Sequence, residues 1–547
     1  MIPGSANPLL LKSAAAAAGG YQIARSLRFN SSDSGYLSRT PASVGTSLTT
    51  YTFSCWAKRS KLGTNQSIIA AGTDASDYFH FEFRSDDKLK LTTGENGATN
   101  NNLVDTVAVF RDASAWYHIV LQADFNNAVQ ADRVKIYVNG TRLALSGTIA
   151  SQGYTGTRFN RAYEHNIGRI RSGVGHLDAC LADIHLIDGQ ALTPSSFTEV
   201  SATTGQLIPK AYTGSFGTNG FWLKFSDNSA ATATTLGKDY SGNSNNWTPN
   251  NLSVTAGAGN DSLVDTPTSY GTDTGAGGEV RGNYCTLNPL KYGGDIQAPT
   301  NGNLDVTSIG SANGKILGTI GVSSGKWYWE CVPNSNQNIA FGITKDNTVL
   351  ANYPGQDAVD YTYHNDGSKY SNNSGSAYGA SYTTNDVIGV AFDADNGTLT
   401  FYKNNSSQGQ AYSGLTSGPY FPLVGDPSST PDISATVNFG QRPFAYTAPS
   451  GFKALCDTNL TSTTITTSGS YTGNGTADGP FVYLNGVPTA MTIGGNAVTF
   501  GTHADKLSNG FKIRTSSTTY NQNASSYSYS ITSTGAAFKN ARAQPNP

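Results

Sequence analysis

The segment that decides the fold class is Arg133–Leu145, with the sequence RVKIYVNGTRLAL. Val134, Ile136 and Val138 alternate with more polar residues, and an Asn-Gly pair at 139–140 then turns the chain. Alternation with a period of two residues is typical of a half-buried antiparallel strand, and Asn-Gly is the strongest short hairpin signal. We therefore expect a β-hairpin here.

The same pattern recurs along the chain, which contains nine Asn-Gly pairs. Alternating apolar and polar residues occupy four further segments: Tyr51–Trp56, Trp116–Leu121, Trp327–Cys331 and Val387–Phe392. No segment keeps a helical period of 3.6 residues for three turns. The sequence therefore predicts an all-β protein.

The composition excludes two broad classes of protein. The chain has 547 residues, with 35 Lys+Arg against 37 Asp+Glu, and 13% of its residues are charged. Soluble domains usually contain about 25% charged residues, so a helical protein built on charged i,i+4 pairs is not expected. A nucleic-acid binder is not expected either, because basic residues are not in excess. The 37% of hydrophobic residues can build packed cores. At ~100–200 residues per domain, we expect three or four domains.

The N-terminal segment does not have the pattern of a signal peptide. Lys12 interrupts the apolar core between Leu9–Leu11 and a run of five alanines, whereas a signal peptide places its positive charge before the core. No stretch approaches the ~20 apolar residues of a membrane span. The cysteines form no C-x-x-C pair, so we expect isolated buried thiols in a reducing cytoplasm: Cys55, Cys180, Cys285, Cys331 and Cys456.

Changes in composition predict the domain boundaries. Between residues 229 and 284 the aliphatic alternation stops and Gly, Asn, Thr, Ser and Asp dominate. Trp247 and Tyr270 could anchor this connector on a surface. A Thr-rich run at 458–467 marks a second break. The predicted organisation is an N-terminal arm (1–26), a first β domain (27–228), a connector (229–284), a second β domain (285–457) and a C-terminal β module (458–547).

The first β domain resembles the laminin-G or concanavalin-like jelly rolls. Four of the motifs of that family occur in order: Tyr51–Ala57, Trp116–Val120, Ile136–Gly140 and Leu181–Leu192. The last of these has the form met in bacteriophage structural proteins, and Asp239–Thr248 resembles the tail of those proteins.

The second β domain resembles a SPRY domain, a β-sandwich used for protein recognition. The motifs in matching order are Gly325–Glu330, Ala340–Ile343, Asp386–Asp393, Leu399–Asn404 and Val437–Gly440. The segments Asn509–Arg514 and Phe538–Arg542 are similar to a small β module that follows SPRY domains in bacteriophage fibre-like proteins. The resemblance implies tandem β-sandwiches followed by a small β module.

The resemblance also implies a function. It implies a non-enzymatic bacteriophage virion protein that has no cofactor. This protein would be a subunit of a tail fibre, a head fibre or another appendage. It would be made in the host cytoplasm and would lie on the virion exterior. Its expected partners are other virion proteins, docked through the arm 1–26, and a host-surface glycan or protein, with neither nucleic-acid binding nor membrane insertion. A homo-oligomer is expected, a trimer by family habit. Alternatives are an architectural capsid or tail decoration protein, a polysaccharide depolymerase and a secreted adhesin.

Two motifs superficially resemble catalytic or metal sites. Gly321–Gly325 fits G-x-S-x-G, but a nucleophile elbow leads into a helix, whereas this segment leads into the predicted strand Trp327–Val332. Asp393–Gly397 begins like a calcium loop, but Asn404 stands where the closing Glu belongs. We expect a turn between strands in the first case and an Asn-Gly hairpin in the second.

No catalytic, metal-binding or cofactor-binding residue is predicted. The seven histidines lack the H-x-x-x-H spacing of a helical zinc site. The strands carry no pair of alternating carboxylates for glycoside hydrolysis. Asp183 and Asp188 lie in the segment that resembles the structural turn of the jelly-roll family. Two Tyr-rich stretches, Tyr154–Tyr163 and Tyr361–Tyr382, have a composition suited to sugar binding. Packing beneath long loops explains them equally, so no ligand-binding residue is nominated.

Overall fold

The computed structural model describes residues 20–72, 77–95, 98–171, 173–200, 207–335, 338–428, 432–460, 462–477, 479–483, 487–507, 510–536 and 538–540. Residues 1–19, which form most of the predicted arm, lie outside the described residues. The all-β prediction is confirmed, since the one α-helix within the described ranges is a single turn, α1 (Thr518–Asn521). No described helix is long and apolar enough to cross a membrane.

The described residues of the first sandwich and the connector form the strands β1 (Ser26–Phe29), β2 (Tyr36–Arg39), β3 (Thr50–Arg59), β4 (Gln66–Gly72), β5 (Tyr78–Phe83), β6 (Leu89–Glu95), β7 (Ala98–Thr106), β8 (Tyr117–Asp124), β9 (Val134–Val138), β10 (Thr141–Arg142), β11 (Leu145–Thr148), β12 (His165–Ile167), β13 (Ala179–Asp188), β14 (Thr198–Val200), β15 (Leu207–Pro209), β16 (Phe221–Leu223), β17 (Thr248–Asn250) and β18 (Ser262–Leu263). One sheet has the order β10-β9-β8-β3-β13-β1-β18, with β16 also paired to β13, and the other has the order β11-β7-β6-β5-β4-β12-β2-β17.

The hairpin predicted at Arg133–Leu145 is formed by β9 and β10. Val134, Ile136 and Val138 are buried, while the residues between them are half-buried. The turn residues Asn139 and Gly140 have φ values of 49° and 80°, the left-handed region that Asn and Gly tolerate best. Period-two alternation thus places one face of the strand in the core.

The predicted connector is an integral part of the first sandwich. Its strands β17 and β18 add one edge strand to each of the two sheets. The Trp247 side chain is fully buried in the core and meets Phe221 edge to face, with ring centroids 5.0 Å apart. Burying a large aromatic side chain contributes ~2–3 kcal/mol, enough to hold a Gly-rich segment against the sheets.

The strands within the described part of the second sandwich are β19 (Leu287–Gly294), β20 (Asp305–Thr307), β21 (Gly314–Gly318), β22 (Ile320–Val322), β23 (Lys326–Pro333), β24 (Ala340–Thr344), β25 (Tyr361–His364), β26 (Ser368–Ser371), β27 (Ser374–Ala377), β28 (Ile388–Asp393), β29 (Thr398–Lys403), β30 (Ser406–Tyr412), β31 (Phe421–Asp426), β32 (Ser434–Asn438) and β33 (Lys453–Ala454). Its sheets have the orders β19-β21-β31-β24-β25-β26-β27 and β20-β32-β23-β28-β29-β30, with β33 also paired to β23.

In the C-terminal module, the residues that the structure describes form the strands β34 (Ser462–Thr472), β35 (Phe481–Tyr483), β36 (Val487–Ile493), β37 (Asn496–Ala497), β38 (Ala504–Leu507), β39 (Gly510–Ile513), β40 (Ser526–Ala536) and β41 (Phe538–Asn540). β34-β40-β36-β37 form one sheet and β35-β39-β38 another. β41 returns to the second sandwich, where it pairs with β22.

The two sandwiches meet at a buried polar junction. The Lys58 ammonium donates to Asp265 and to Asn283 Oδ1, each at 2.7 Å, and to the Tyr284 carbonyl at 2.9 Å. The Trp116 indole N–H donates to Asp265 at 3.1 Å. All three acceptors lie in the connector, and two of them directly precede the second sandwich, so charge-assisted hydrogen bonds from Lys58 hold the entry to the second sandwich against β3.

The carboxyl group of Asp457 gives this junction a pH dependence. It is fully buried and accepts the Asn283 N–H at 2.8 Å, and burial raises its pKa from 3.8 to about 7. The folded state therefore binds this proton more tightly than the unfolded chain does. The stability that protonation of Asp457 contributes is complete below about pH 4 and is lost as the pH rises to about 7.

We expect Asp457→Asn to stabilise the protein most at pH 8, because the neutral amide removes the cost of a buried carboxylate. The unfolding temperature of the variant should exceed that of the wild type by roughly 2–4 °C at pH 8, and this advantage should shrink towards pH 5. Thermal unfolding followed by tryptophan fluorescence at pH 5, 6, 7 and 8 measures it. An equal difference at all four pH values would contradict the titration of Asp457.

Candidate functional site

Four of the seven histidines, His118, His165, His185 and His364, lie in the packed interior, whereas His80, His176 and His503 are half-buried. Burial lowers the pKa of His118 to about 3 and that of His165 and His364 to about 4, so these imidazoles are neutral at physiological pH. His185 stacks on Trp222 with centroids 5.3 Å apart. Across the described ranges, no three His, Cys, Asp or Glu side chains are grouped so that they could hold a metal ion.

The two motif-like segments are turns between strands. Gly321 and Val322 belong to β22, and the chain then enters β23 directly. Asp393 ends β28, accepts the Asn396 N–H at 3.0 Å and forms an ion pair with Lys326 at 3.0 Å. Local hydrogen bonds and the strand ladder account for both segments.

Most of the Tyr-rich candidates pack inside the sandwiches. The Tyr154 hydroxyl lies 3.3 Å from Thr93 Oγ1 within the first core. Tyr363 and Tyr382 belong to the second core and meet edge to face at 4.9 Å. The Tyr378 hydroxyl donates to the Gly409 carbonyl at 2.5 Å. These contacts match the packing alternative.

All five cysteines are buried and unpaired, as free thiols. Burial raises the pKa of Cys285 to about 11, so the reactive thiolate is scarce at neutral pH. The same cause raises the pKa of Cys55 and Cys180. The thiols therefore act as small core residues.

One end of the second sandwich exposes apolar side chains. Ile309 is 64% exposed and Val349 is 53% exposed, and among the described residues 285–457 they are the two exposed large apolar side chains. Ile309 lies in the loop between β20 and β21, and Val349 lies in the loop between β24 and β25. Loops on a rigid sandwich are common binding elements.

Hydrogen bonds bring these loops to the same end of the sheets. The Ile309 N–H donates to the Asp295 carbonyl at 3.0 Å, and the Gly310 N–H donates to Asp432 Oδ1 at 3.0 Å. The Lys315 N–H donates to the Leu350 carbonyl at 3.0 Å, next to the start of β21. We call this region, comprising Ile309, Val349, Asp295 and Asp432, the end surface.

Two carboxylates, those of Asp295 and Asp432, lie at the end surface, and a third, that of Asp426, is buried beneath it. Burial raises the pKa of Asp426, and the neighbouring carboxylates of Asp432 and Asp295 raise it further. The Ser308 hydroxyl donates to Asp426 at 2.6 Å. Within the described part of the chain, neither Asp295 nor Asp432 forms an ion pair with Lys or Arg. The field of these two carboxylates is therefore available to a cationic partner.

A buried ionic network fixes the loop that carries Val349. The fully buried Lys315 ammonium lies 2.7 Å from Asp357 and 2.6 Å from Asp360. Asp357 accepts the Val349 N–H at 2.8 Å, and the Thr348 hydroxyl donates to Asp360 at 2.8 Å. Burial alone would raise the pKa of Asp357. The hydrogen bonds that its carboxylate accepts, chiefly the one from Lys315, outweigh burial and lower this pKa to about 2. The network holds the loop in one conformation before any partner binds.

The arrangement can bind but has no catalytic constellation among the described residues. Exposed Ile and Val side chains offer apolar contact, and the carboxylates offer attraction to Lys or Arg. Sequence reasoning missed Ile309 and Val349 because single apolar residues in polar loops are ordinary. Their only sequence signal is the apolar side chain within a mainly polar loop, SIGSAN around Ile309 and KDNTVLAN around Val349.

Comparison with known families identifies both sandwiches. Residues 30–198 match the family described as the concanavalin A-like lectin/glucanases superfamily. Residues 326–442 match the SPRY domain. A solved SPRY domain of human HERC1 is 20% identical, with a TM-score of 0.26, and covers 28% of this chain and 96% of that chain.

Curated relatives match over about a fifth of the chain. The Ran-binding proteins 9/10 homolog of Drosophila melanogaster is 34% identical over 129 residues, which are 23% of this chain and 13% of that protein. Human Ran-binding protein 9 is 36% identical over 110 residues, which are 20% of this chain and 15% of that protein. The dual specificity protein kinase splA of Dictyostelium discoideum is 35% identical over 127 residues, which are 23% of this chain and 5% of the kinase. The match thus spans a small part of each relative's length.

These relatives correct the predicted function. They are eukaryotic cellular proteins, and nothing in the comparisons points to a bacteriophage. The prediction of a virion fibre on the particle exterior is therefore wrong. The predicted partners, which were virion proteins and a host-surface ligand, are wrong with it, as is the trimeric assembly. The architectural and depolymerase alternatives fail for the same reason. The prediction failed for a physical reason: low charge and motif order are properties of the β-sandwich folds. The same folds occur in proteins with unrelated functions, so these properties do not identify the particle or cell that contains the protein. The chain contains a concanavalin A-like domain within residues 30–198 and a SPRY domain within residues 326–442.

Proposed function

We propose that the chain is a non-enzymatic protein-interaction protein whose SPRY domain binds a segment of a partner protein at the end surface. The observation that carries this proposal is the pairing of two exposed apolar side chains with the carboxylates of Asp295 and Asp432 on loops that the fold holds in place. The relatives named for binding Ran support an interaction role for the SPRY part. The partner itself is proposed from chemistry alone.

The chemistry of the end surface defines the partner segment. Covering the exposed parts of Ile309 and Val349 with an apolar side chain contributes ~1–2 kcal/mol for each. A Lys or Arg beside that side chain complements Asp295 and Asp432, which mainly increases the rate of association and the specificity. The proposed ligand is therefore an extended peptide that carries an apolar anchor flanked by basic residues.

Replacing Ile309 or Val349 by Ser is expected to weaken peptide binding about tenfold, because each change removes apolar contact worth ~1.4 kcal/mol. The full-length chain is incubated with a bead library of random 12-residue peptides, and the dissociation constants of the enriched peptides are measured by fluorescence anisotropy. Enriched sequences should combine an apolar residue with Lys or Arg. Their affinity should fall when the salt concentration rises from 50 to 500 mM.

The matched control is Val200→Ser, because Val200 is 66% exposed but lies in the first domain. This variant should bind the enriched peptides as the wild type does. A library that yields no enriched peptide would overturn the interaction role of the SPRY domain. Enriched peptides that bind both end-surface variants with unchanged affinity would place the binding site elsewhere.

A further inference from the structure

The strand β27 is an exposed edge of the second sandwich. It stands last in the order of its sheet, where it pairs with β26 on one side only. All of its residues, Ser374–Ala377, are exposed. An edge strand presents unpaired N–H and C=O groups to which another extended chain can hydrogen-bond. A further strand can therefore pair with the free side of β27.

The turn before β27 determines which of its backbone groups point outwards. Asn372 and Asn373 have φ values of 51° and 58°, and a two-residue type I′ hairpin turn requires positive φ at both positions. Such a turn is closed by a hydrogen bond from the N–H of the residue that follows it to the carbonyl of the residue that precedes it. The Ser374 N–H therefore points towards β26.

The alternation along β27 then turns the groups between outwards. In an antiparallel pair, every second residue exchanges hydrogen bonds with the partner strand. Tyr378 continues the series that begins at Ser374, because its N–H donates to the Gly367 carbonyl at 3.1 Å. Gly375 and Ala377 occupy the alternate positions, so their N–H and C=O groups point away from β26. Among the described residues, no loop backbone hydrogen-bonds to these groups.

The other described edge strands of the second sandwich carry features that hinder such pairing. β19 contains Pro289 and Lys291, β20 begins with Asp305, and the pairing of β30 with β29 has register shifts. Proline, charged side chains and irregular pairing are common protections of sheet edges. β27 has none of them, since its pairing is regular and residues 370–385 include neither proline nor a charged residue. Its edge is therefore left open.

The edge is ordered before any partner binds. The N–H groups of the two turn residues donate to the Asp357 and Gly355 carbonyls of the β24–β25 loop, at 3.2 and 3.0 Å. The Tyr370 ring lies against Gly375, where a Cβ atom would come within 2.5 Å of Tyr370 Cε1. A partner thus meets a preformed strand, which lowers the entropic cost of binding.

We propose that β27 is a second binding site of the SPRY domain, at which an extended segment of a partner protein adds as a further strand. Gly375 and Ala377 each offer that segment one donor and one acceptor. The segment must keep its own N–H groups at alternate positions, so it has no proline there. Because residues 370–385 are uncharged, an uncharged segment rich in β-branched or aromatic residues fits this edge best. The end surface, in contrast, selects a basic segment.

The substitution Ala377→Pro tests strand addition. It removes the outward N–H but no hydrogen bond to β26, and proline is tolerated in an edge strand where its nitrogen faces solvent. Ala377→Val keeps the N–H and is the matched control. Both changes are made in a full-length chain that also carries Ile309→Ser and Val349→Ser, so that the end surface does not select the peptides.

Peptides from the same bead library are enriched on the Ile309→Ser/Val349→Ser chain, and their dissociation constants are measured by fluorescence anisotropy. We expect Ala377→Pro to weaken binding about tenfold, because a backbone hydrogen bond is lost, and Ala377→Val to leave it unchanged. Of the two alternating patterns of N-methylation of a peptide, one should abolish binding and the other should not, because only every second N–H faces β27. Added salt should not change the affinity, since no charges meet.

Amide hydrogen exchange reports the same contact without a variant. Exchange at Ala377 should slow when a peptide is bound, whereas exchange at Ser376, which already faces β26, should change less. The proposal is overturned if no peptide is enriched, if Ala377→Pro and Ala377→Val bind equally well, or if both N-methylation patterns have the same effect. None of these results bears on the end surface, whose peptides are selected on the wild-type chain.

Discussion

Replacing Lys58 by Met is expected to destabilise the folded chain by about 3–5 kcal/mol, because it leaves the buried Asp265 carboxylate without its cation. Both side chains are almost completely buried, with exposed fractions of 4% and 3%. Met fills a similar volume but can donate neither to Asp265 nor to Asn283 Oδ1. The Trp116 N–H that remains on Asp265 is a neutral donor and offsets only part of the loss.

The Lys58→Met variant should also uncouple the two domains. The lysine donates to Asp265 and to the connector residues Asn283 and Tyr284 that directly precede the second sandwich, so its loss removes three hydrogen bonds that hold this entry segment to β3. Urea unfolding followed by tryptophan fluorescence should change from a shared transition to two separated ones. The free energy from the first transition gives the destabilisation.

Lys61→Met is the control for Lys58→Met. The Lys61 side chain is 48% exposed, and its ammonium lies 3.8 Å from Asp178, so its loss should cost at most about 1 kcal/mol. The double variant Lys58→Met/Asp265→Asn should recover part of the stability, since it removes the unpaired charge as well. Equal destabilisation by Lys58→Met and Lys61→Met would show that the buried pair does not hold the junction.

The fold was predictable from local patterns, whereas the junction was not. Alternation in segments such as Val134–Val138 and Asn-Gly turns are properties of neighbouring residues, so they are visible in the sequence. Lys58 and Asp265 are 207 positions apart, and nothing local marks them as partners. Only the packing of the connector strand β18 against β1 brings them together.

The end surface was equally hidden, and motif order misled the functional reading. Ile309 lies within a polar loop, and its significance depends on the carboxylate of Asp432, more than 100 residues away in the sequence. The order of the SPRY motifs predicted the second sandwich correctly because it follows strand order. That order carries no information on the organism or particle, which is why the inferred bacteriophage origin failed.

Replacing Lys315 by Met is expected to destabilise the SPRY domain by about 3–5 kcal/mol and to abolish peptide binding at the end surface. The lysine is fully buried between Asp357 and Asp360, which would then face each other without a cation. Repulsion between the two carboxylates should release the loop from Thr348 to Asn352, which they hold through Thr348, Val349 and Asn352. Amide hydrogen exchange of this loop should accelerate more than that of β28.

Lys326→Met is the control in the same domain, since Lys326 pairs with Asp393 at 3.0 Å but its side chain is 39% exposed. It should change stability by about 1 kcal/mol or less and leave peptide binding intact. Comparing loop exchange with affinity separates folding from recognition. If Lys315→Met frees the loop while the enriched peptides still bind with wild-type affinity, Val349 is not part of the binding site. If binding disappears as the loop opens while β28 stays protected, the preformed loop is what the partner recognises, and the buried lysine acts as a positioning residue beneath it.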